Sequence, residues 1–527
     1  RTIWIASIVS NIGTLMQTVG VGWLLTSLTV SPLLVALLQT ATSLPIFLLG
    51  LPAGALADLI DRRKMLLVTE SYLLVVAAIL GIVTLTGAIN ANLLLLLSLL
   101  MGFGTAMDLP VWQSIVPDLV EKDELHAAIS LNATGYNMAR AVGPALGGIV
   151  VAMAGPAAVF FLNSLSFVAI LFAIYYWKNV RPHHDTPPEE LLGAMVSGVR
   201  YTWNSHAMRN AVVRTVAFVL GASAIWSLLP TVARHDLHLE ATWYGVIIGS
   251  LGIGAVIAAP FLPAWRKAID PDLFAAIATV LFAAATFALG TITILPLLVV
   301  FLLIGGMAWL AMMGTVSTAA ANAAPAWVRA RAMGTHMLLF ALAMTIGSYG
   351  WGALAQTYGS RVALISAAAL LLVGLLTFKP FSLKIFEDLD LSPSNHWGMP
   401  DVNLNPAPAD GPVMVTVRYQ VPSANTAGFL DAMEEMRRFR FREGAIRWDL
   451  YRDMNTIDTF IESFVVSTWG EHLRQHTRVT KQDQAIEERA FAFIAPGTQP
   501  VSNHLIAADA ADHSPNDEAL QGELTRM

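Results

Sequence analysis

Long apolar stretches, broken only by short polar punctuation, dominate the first 378 positions of the chain. Twelve of them approach or exceed the roughly 20 residues that a hydrocarbon layer of ~30 Å asks of a helix. They are Ile3–Ser27, Leu33–Ala57, Met65–Gly87, Asn92–Val116, Ala127–Met153, Ala157–Trp177, Asn210–Ala233, Tyr244–Ala264, Leu273–Gly290, Leu295–Ala319, Arg331–Gln356 and Val362–Phe378. Gly and Pro occur inside many runs, as they do in membrane helices, where small residues let backbones approach closely. Between the sixth and seventh runs lies a polar connector with the string HHDTPPEE, then an amphipathic surface helix over Glu189–Asn204.

After Lys379 the pattern changes. A Pro/Asn/Asp-rich linker runs to Pro412. Val413–Val421 alternates as a strand does. Ala424–Phe439 reads as a helix, Ala445–Tyr451 and Phe460–Ser467 as strands, and Trp469–Arg478 and Gln482–Phe491 as helices. Residues after Pro496, rich in Ala, Asp, Ser and Pro, read as a disordered tail.

The two groups of six runs echo each other. Gly143, Gly148 and Gly155 align with Gly347, Gly352 and Gly359 at one constant offset. Parallel repeats of about six helices are a recurring transporter plan. The expected fold is therefore an all-α membrane body of twelve transmembrane helices in two pseudo-symmetric six-helix bundles, 1–177 and 210–378. The connector covers 178–209, the linker 379–412, an α+β domain 413–496 and the tail 497–527.

Composition agrees. Hydrophobic residues make up 55% and charged residues 13%, against roughly 25% charged in soluble domains. Zero cysteines exclude disulfides, thiolate metal sites and cysteine nucleophiles. No basic stripe with interleaved aromatics suggests nucleic acid, and no P-loop suggests ATP. The first residue is Arg1, so a short N-terminal piece is expected to precede it. One set of alternate loops holds Arg62, Arg63, Lys64, Lys122, Lys178, Arg181, Arg200, Arg209, Arg266, Lys267, Arg329 and Arg331; the other holds Arg234 and Arg361. By the positive-inside rule the first set, and both termini, face the cytoplasm.

The loop after the second run reads GALADLIDRRK. Gly54, Asp58, Arg62, Arg63 and Lys64 fit the signature G-x-x-x-D-[RK]-x-G-[RK]-[RK], from which Leu59 and Asp61 depart. Gly143, Pro144, Gly147 and Gly148 match G-P-x-x-G-G, a motif of antiporter-type exporters. With SNIGTLMQTVGVGWLL, DLPVWQSIVPDLV and FFLNSLSF, these residues make the chain resemble the major facilitator superfamily, in particular siderophore exporters and macrolide-type efflux proteins. The resemblance implies proton-coupled efflux across the inner (plasma) membrane. It implies a gate contact from Asp58 to the start of the eleventh run, near Arg331. It also implies a cavity lined from runs 1, 4, 7 and 10, which here offer Asn11, Gln17, Trp112, Gln113, Trp226, Trp309 and Met313. Aromatics, Met and a few amides suit a bulky amphipathic ligand. Uptake by the same fold is the alternative direction.

Ionisable residues inside a membrane are expensive and functional by default. Asp108 and Arg140 lie on consecutive runs and are expected to meet, either as a static clamp or as a proton-linked switch. Glu70 either carries the coupling proton or snorkels to the interface. Arg214 and His336 complete the group, with His336 read as a hydrated structural side chain. Arg62 and Arg63 are expected to pair with Asp118 or Glu121, or to act as topogenic anchors. Pro144 bends its helix, and the glycines beside it are expected to seal against the eighth run, GSLGIGAVIAAP.

The β-α-β-β-α order after Pro412 resembles the dimeric α+β barrel, the ferredoxin-like fold of small antibiotic-biosynthesis monooxygenases, best in FIESFVVSTWGEHLRQHTRVT. That resemblance implies a pocket with Trp469, His472 and His476, and dimerisation. His472 and His476 share a helix face at metal-ligand spacing, but no third ligand stands out, and no metal or cofactor is expected. A regulatory or dimerising role is expected over catalysis, fold alone giving no function.

Overall fold

The computed structural model describes residues 2–115, 119, 124–177, 191–383, 389–400 and 402–508. The chain divides into two compact units. The first comprises Arg1–Leu191, Asn210–Ala320 and Gly334–Lys384; the second comprises Leu192–Arg209, Ala321–Met333 and Ile385–Met527.

The first unit is helical: α1 (Thr2–Leu28), α2 (Pro32–Leu59), α3 (Arg62–Leu85), α4 (Ala91–Ile115) and α5 (Leu125–Tyr175) in its first half. Its second half holds most of α7 (His206–Thr231), α8 (Ala241–Ala258), a short α9 (Leu262–Ala268), α10 (Pro271–Thr291), most of α11 (Leu295–Asn322), α12 (Ala326–Tyr358) from Gly334 on, and α13 (Ser360–Gly374). In chain order α6 (Leu191–Asn204) comes between α5 and α7, belongs to the second unit from Leu192 on, and starts two residues from the expected start of the surface helix. Among the described residues, eleven helices are long and apolar enough to cross a membrane.

The count of eleven, against twelve apolar runs, has a local cause. The fifth and sixth runs are joined in α5, a 51-residue helix with non-helical backbone at Gly155 (φ 78°, ψ 169°). The repeat partner of Gly155 is Gly359, which stands between α12 and α13 with φ 88° and ψ 156°. Both lie where essentially only glycine goes.

Helix starts follow capping rules. Ser31 accepts from the Leu34 amide with Pro32 at the first helical position. Asp61, one of the two departures from the loop signature, accepts from the Lys64 amide and caps α3. Asp270 caps α10 through two amides. In the first half, α1 packs on α5 and α2 on α4, around Leu25, Leu66, Leu80, Phe160, Ile170 and Ile174.

The second unit carries a four-stranded antiparallel sheet of order β2-β3-β1-β4, with β1 Val413–Gln420, β2 Arg447–Arg452, β3 Thr459–Val466 and β4 Val501–Ile506. Helices α14 (Thr426–Arg442), α15 (Trp469–Arg478) and α16 (Lys481–Phe491) accompany it. Alternation puts Val413, Val415, Val417 and Tyr419 of β1 into a core with Phe429, Met436, Phe439 and Phe464. The expected disordered tail is corrected at its start: residues 501–506 form β4, paired with β1 from Val413↔Ile506 to Arg418↔Val501. Residues 509–527 lie outside the described residues.

Candidate functional site

In the first unit the chemistry gathers where α3 faces α4. Glu70 is buried, at 2% exposure. Its Oε1 accepts from the Trp112 indole N–H at 3.1 Å, while its Oε2 has no hydrogen-bond partner among the described residues. One residue earlier, Thr69 Oγ1 donates to Asp108 Oδ1 at 2.7 Å. Asp108 and Trp112 are one turn apart on α4, as Thr69 and Glu70 are neighbours on α3. Helical periodicity thus brings two carboxylates together inside an apolar layer. A groove of about 480 Å³, lined by Leu56, Ile60, Met65, Tyr72 and Phe103 among others, borders them through Thr69 and Met107.

The expected Asp108–Arg140 pair does not form among the described residues. The Arg140 stretch of α5 is turned to α8, where Gly252 lies against the Arg140 carbonyl. Arg214 is instead the fully buried cation with a partner: its NH1 lies 2.8 Å from Asp272 Oδ1 and 3.3 Å from the Phe381 carbonyl, and its guanidinium covers the Phe378 ring. Ser382 and the Leu383 amide also donate to Asp272. His336 is buried rather than hydrated, with Nε2 2.8 Å from Thr215 Oγ1.

The loop signature is partly visible. The Asp58 side chain, and residues Asp118 and Glu121, lie outside the described residues. Arg63 reaches the carbonyl end of α5, donating from Nε to Ile174 O at 3.2 Å and to the Tyr175 carbonyl. A cation there complements the helix dipole. Around Gly54, no atom of the described residues beyond its own helix turn lies within 4 Å of where a Cβ would sit.

The glycine motif of α5 divides between two neighbours, which corrects the single seal expected. Gly143 and Gly147 meet α1, at Leu15 and Met16. Gly148 meets α8, where a Cβ would stand 2.8 Å from both the Ala241 carbonyl and the Gly245 Cα.

The residues expected to line a cavity have these surroundings. Gln17 is buried and accepts from Asn163 Nδ2 at 2.7 Å, and Trp112 is committed to Glu70. Asn11 is half-buried on α1, and the Gln113 side chain lies outside the described residues. Trp226, Trp309 and Met313 belong to the second half. There Trp309 contacts Trp226, Phe218, Phe282 and Phe340 at ring separations of 5.4–6.4 Å. The Trp226 indole N–H is buried without a partner among the described residues.

A polar ladder that sequence reasoning missed runs along α2 and α12. Ser31 donates to Gln356 at 2.6 Å, Ser43 meets Thr345 at 2.8 Å, and Thr40 donates to the Thr345 carbonyl at 3.4 Å. Single Ser and Thr residues in apolar runs carry too weak a signal to reveal it.

In the second unit, Trp469, His472 and His476 do come together on α15, and His504 of β4 joins them. The His472 ring lies 4.9 Å from that of His476 and 4.8 Å from that of His504, and Trp469 packs on His472 at 5.5 Å. Burial pushes the His472 imidazole down to about 4 and lowers His476 and His504 as well. Beside them, Arg440 binds Glu462 at 2.9 Å and Glu487 at 3.2 Å, and Tyr419, Trp448 and Trp397 donate to the same two carboxylates. Arg440, Glu462 and Glu487 are all buried, beside the hydrophobic core of this unit. His504 was missed because its strand was read as tail.

A family model described as transmembrane secretion effector matches residues 1–512. The chain is 24% identical over 261 residues to the staphyloferrin A transporter of Staphylococcus aureus, covering 49% of this chain and 65% of that protein. It is 22% identical over 382 residues to the multidrug efflux pump Tap of Mycolicibacterium fortuitum, covering 70% of this chain and 92% of that protein. Among solved structures, a bacterial homologue of the lysosomal transporter Spinster superposes with TM-score 0.57 at 13% identity, over 73% of this chain and 96% of that one. A POT family transporter superposes with TM-score 0.59 at 13% identity over the same shares.

Proposed function

The chain belongs to the transmembrane secretion effector family of major facilitator transporters, and from that premise we propose that it exports bulky amphipathic small molecules in exchange for protons. The observation that carries export is the similarity to a multidrug efflux pump across nearly that pump's whole length. The reading counts twelve crossings. A 51-residue helix is about 76 Å long, more than twice the hydrocarbon thickness. The break at Gly155 divides it as Gly359 divides α12 from α13. Lysine and arginine bias supports an inner-membrane protein with both termini in the cytoplasm. The α2–α12 ladder then acts as the outer seal, and the Asp58 loop as the inner gate.

Glu70 and Asp108 are the coupling residues in this reading. Two carboxylates close together in hydrocarbon, with Thr69 and Trp112 as their donors, suit a site that exchanges a proton rather than one that holds a fixed ion pair. Everted vesicles carrying an imposed inside-acid gradient test this with a fluorescent cationic dye. Export coupled to protons gives dye accumulation in the lumen. Glu70→Gln and Asp108→Asn are expected to reduce it to the level of vesicles without the protein, at equal membrane abundance. Dye loss from the lumen in the same gradient would instead mean uptake.

Strand order β2-β3-β1-β4 and the succession β-α-β-β-α-α-β, a ferredoxin-like order with its second helix split into α15 and α16, support reading the appendage as ferredoxin-like. With the Arg440 network buried beside its core, we assign it a regulatory or dimerising role.

A further inference from the structure

We propose that His472, His476 and His504 bind one late first-row divalent metal ion of the zinc class, through three imidazole nitrogens, with a fourth position open to solvent. One ligand atom from each of the three residues lies within 4.8 Å of the others.

The hydrogen bonds around the rings fix where their protons sit. Gln475 Nε2 donates to the Glu443 carbonyl at 3.1 Å. That turns the Gln475 Oε1 toward His472, 3.1 Å from its Nδ1. An amide oxygen only accepts, so His472 carries its proton on Nδ1. The Gly398 carbonyl lies 2.7 Å from His476 Nδ1 and selects the same tautomer. Each neutral ring therefore turns a bare Nε2 lone pair inward, and the two Nε2 atoms face each other at 3.3 Å. Two lone pairs cannot hydrogen-bond. A cation between them turns the conflict into coordination.

The spacing matches. Two nitrogens bound to zinc at about 2.0–2.1 Å, under a tetrahedral angle, stand about 3.3–3.4 Å apart. The outer contacts match too, because ligating histidines donate their far N–H to an oxygen acceptor. Trp469 supplies an apolar wall against His472 and, at 6.3 Å, against His504. His504 must draw in by roughly 1.5 Å to complete the tetrahedral edge, and its half-buried ring on an edge strand has room to rotate. Imidazole donors without thiolate favour zinc, copper, nickel or cobalt over calcium or magnesium. A bound ion would tie β4, which pairs with β1 alone, to α15.

The test uses full-length protein in detergent, without a polyhistidine tag, stripped with chelator and titrated with Co²⁺. The expected result is a visible ligand-field band that saturates at one equivalent and is bleached by Zn²⁺. His476→Gln and His504→Gln, both at partly exposed side chains, are expected to weaken Co²⁺ binding by about tenfold or more, with unchanged far-UV circular dichroism. The wild-type titration is readable even if a variant fails to fold. Absence of the band in wild-type protein, or equal affinity in both folded variants, overturns the site.

Discussion

At the scale of single residues, neighbours decide what a motif position means. Gly148 and Gly54 both belong to sequence signatures, yet their surroundings differ. A methyl group on Gly148 would press on the Ala241 carbonyl and the Gly245 Cα at 2.8 Å, and backbone atoms cannot swing aside. Gly148→Ala is therefore expected to cost about 1–3 kcal/mol by forcing α5 and α8 apart, seen as a lower melting temperature in detergent. Gly54→Ala meets no neighbour among the described residues and is expected to melt with the wild type. Loss of efflux in that variant at unchanged stability would point to a contact made only in another conformation. Asp61 carries the converse lesson. It breaks the loop signature, and the α3 N-cap accounts for it.

At the scale of elements, Gly155 and Gly359 are the joints of the two repeats. Each has positive φ with extended ψ, and apart from its chain neighbours no atom of the described residues lies near enough to touch an added Cβ. Replacing either by Ala is expected to cost about 1–3 kcal/mol through backbone strain alone. Thermal unfolding of the two variants should show similar losses, since the joints have similar dihedral angles. These positions were legible in the sequence as repeat-related glycines, and helix positions were legible as apolar runs of membrane length. The elements of the appendage followed from alternation and polarity, with α15 matching residue for residue. Strand β4 escaped because six residues between Pro500 and a polar tail bury little on either face. Rotations of helices about their axes are not encoded in spacing alone. Asp108 was legible as a costly intramembrane charge, but its orientation toward Thr69 and Glu70 rather than Arg140 needed the packed helices.

At the scale of the whole molecule, the second unit assembles from three separate pieces of chain. Tyr201 of α6 donates to the Ala323 carbonyl at 2.7 Å, Arg200 reaches Gly444 O at 3.3 Å, and the Arg478 guanidinium lies 4.2 Å from the Trp327 ring. Glu443 is buried in the middle of these contacts. Burial, then the nearby Asp483 charge, push its carboxyl up to about 7, against the pull of Arg442. A raised carboxyl favours the folded state while it keeps its proton. Its contribution is therefore complete below about 4.5 and is lost as pH rises through about 7, at up to roughly 1.4 kcal/mol per pH unit. Calorimetry of the full chain should find Glu443→Gln flattening the fall in this unit's stability between about pH 5 and pH 8. The buried histidines, lowered rather than raised, act in the opposite sense, and comparison of the two proteins cancels them.

The Arg214–Asp272 pair sets a limit on where the bilayer-embedded fold may be cut. The last apolar run stops at Phe378, but Asp272 also draws on the Ser382 hydroxyl and the Leu383 amide, and Arg214 on the Phe381 carbonyl. A stop codon at the hydropathy boundary would strip those three groups from a fully interior guanidinium and its counter-ion. The shortest gene fragment that encodes a self-sufficient carrier must therefore read on past codon 383.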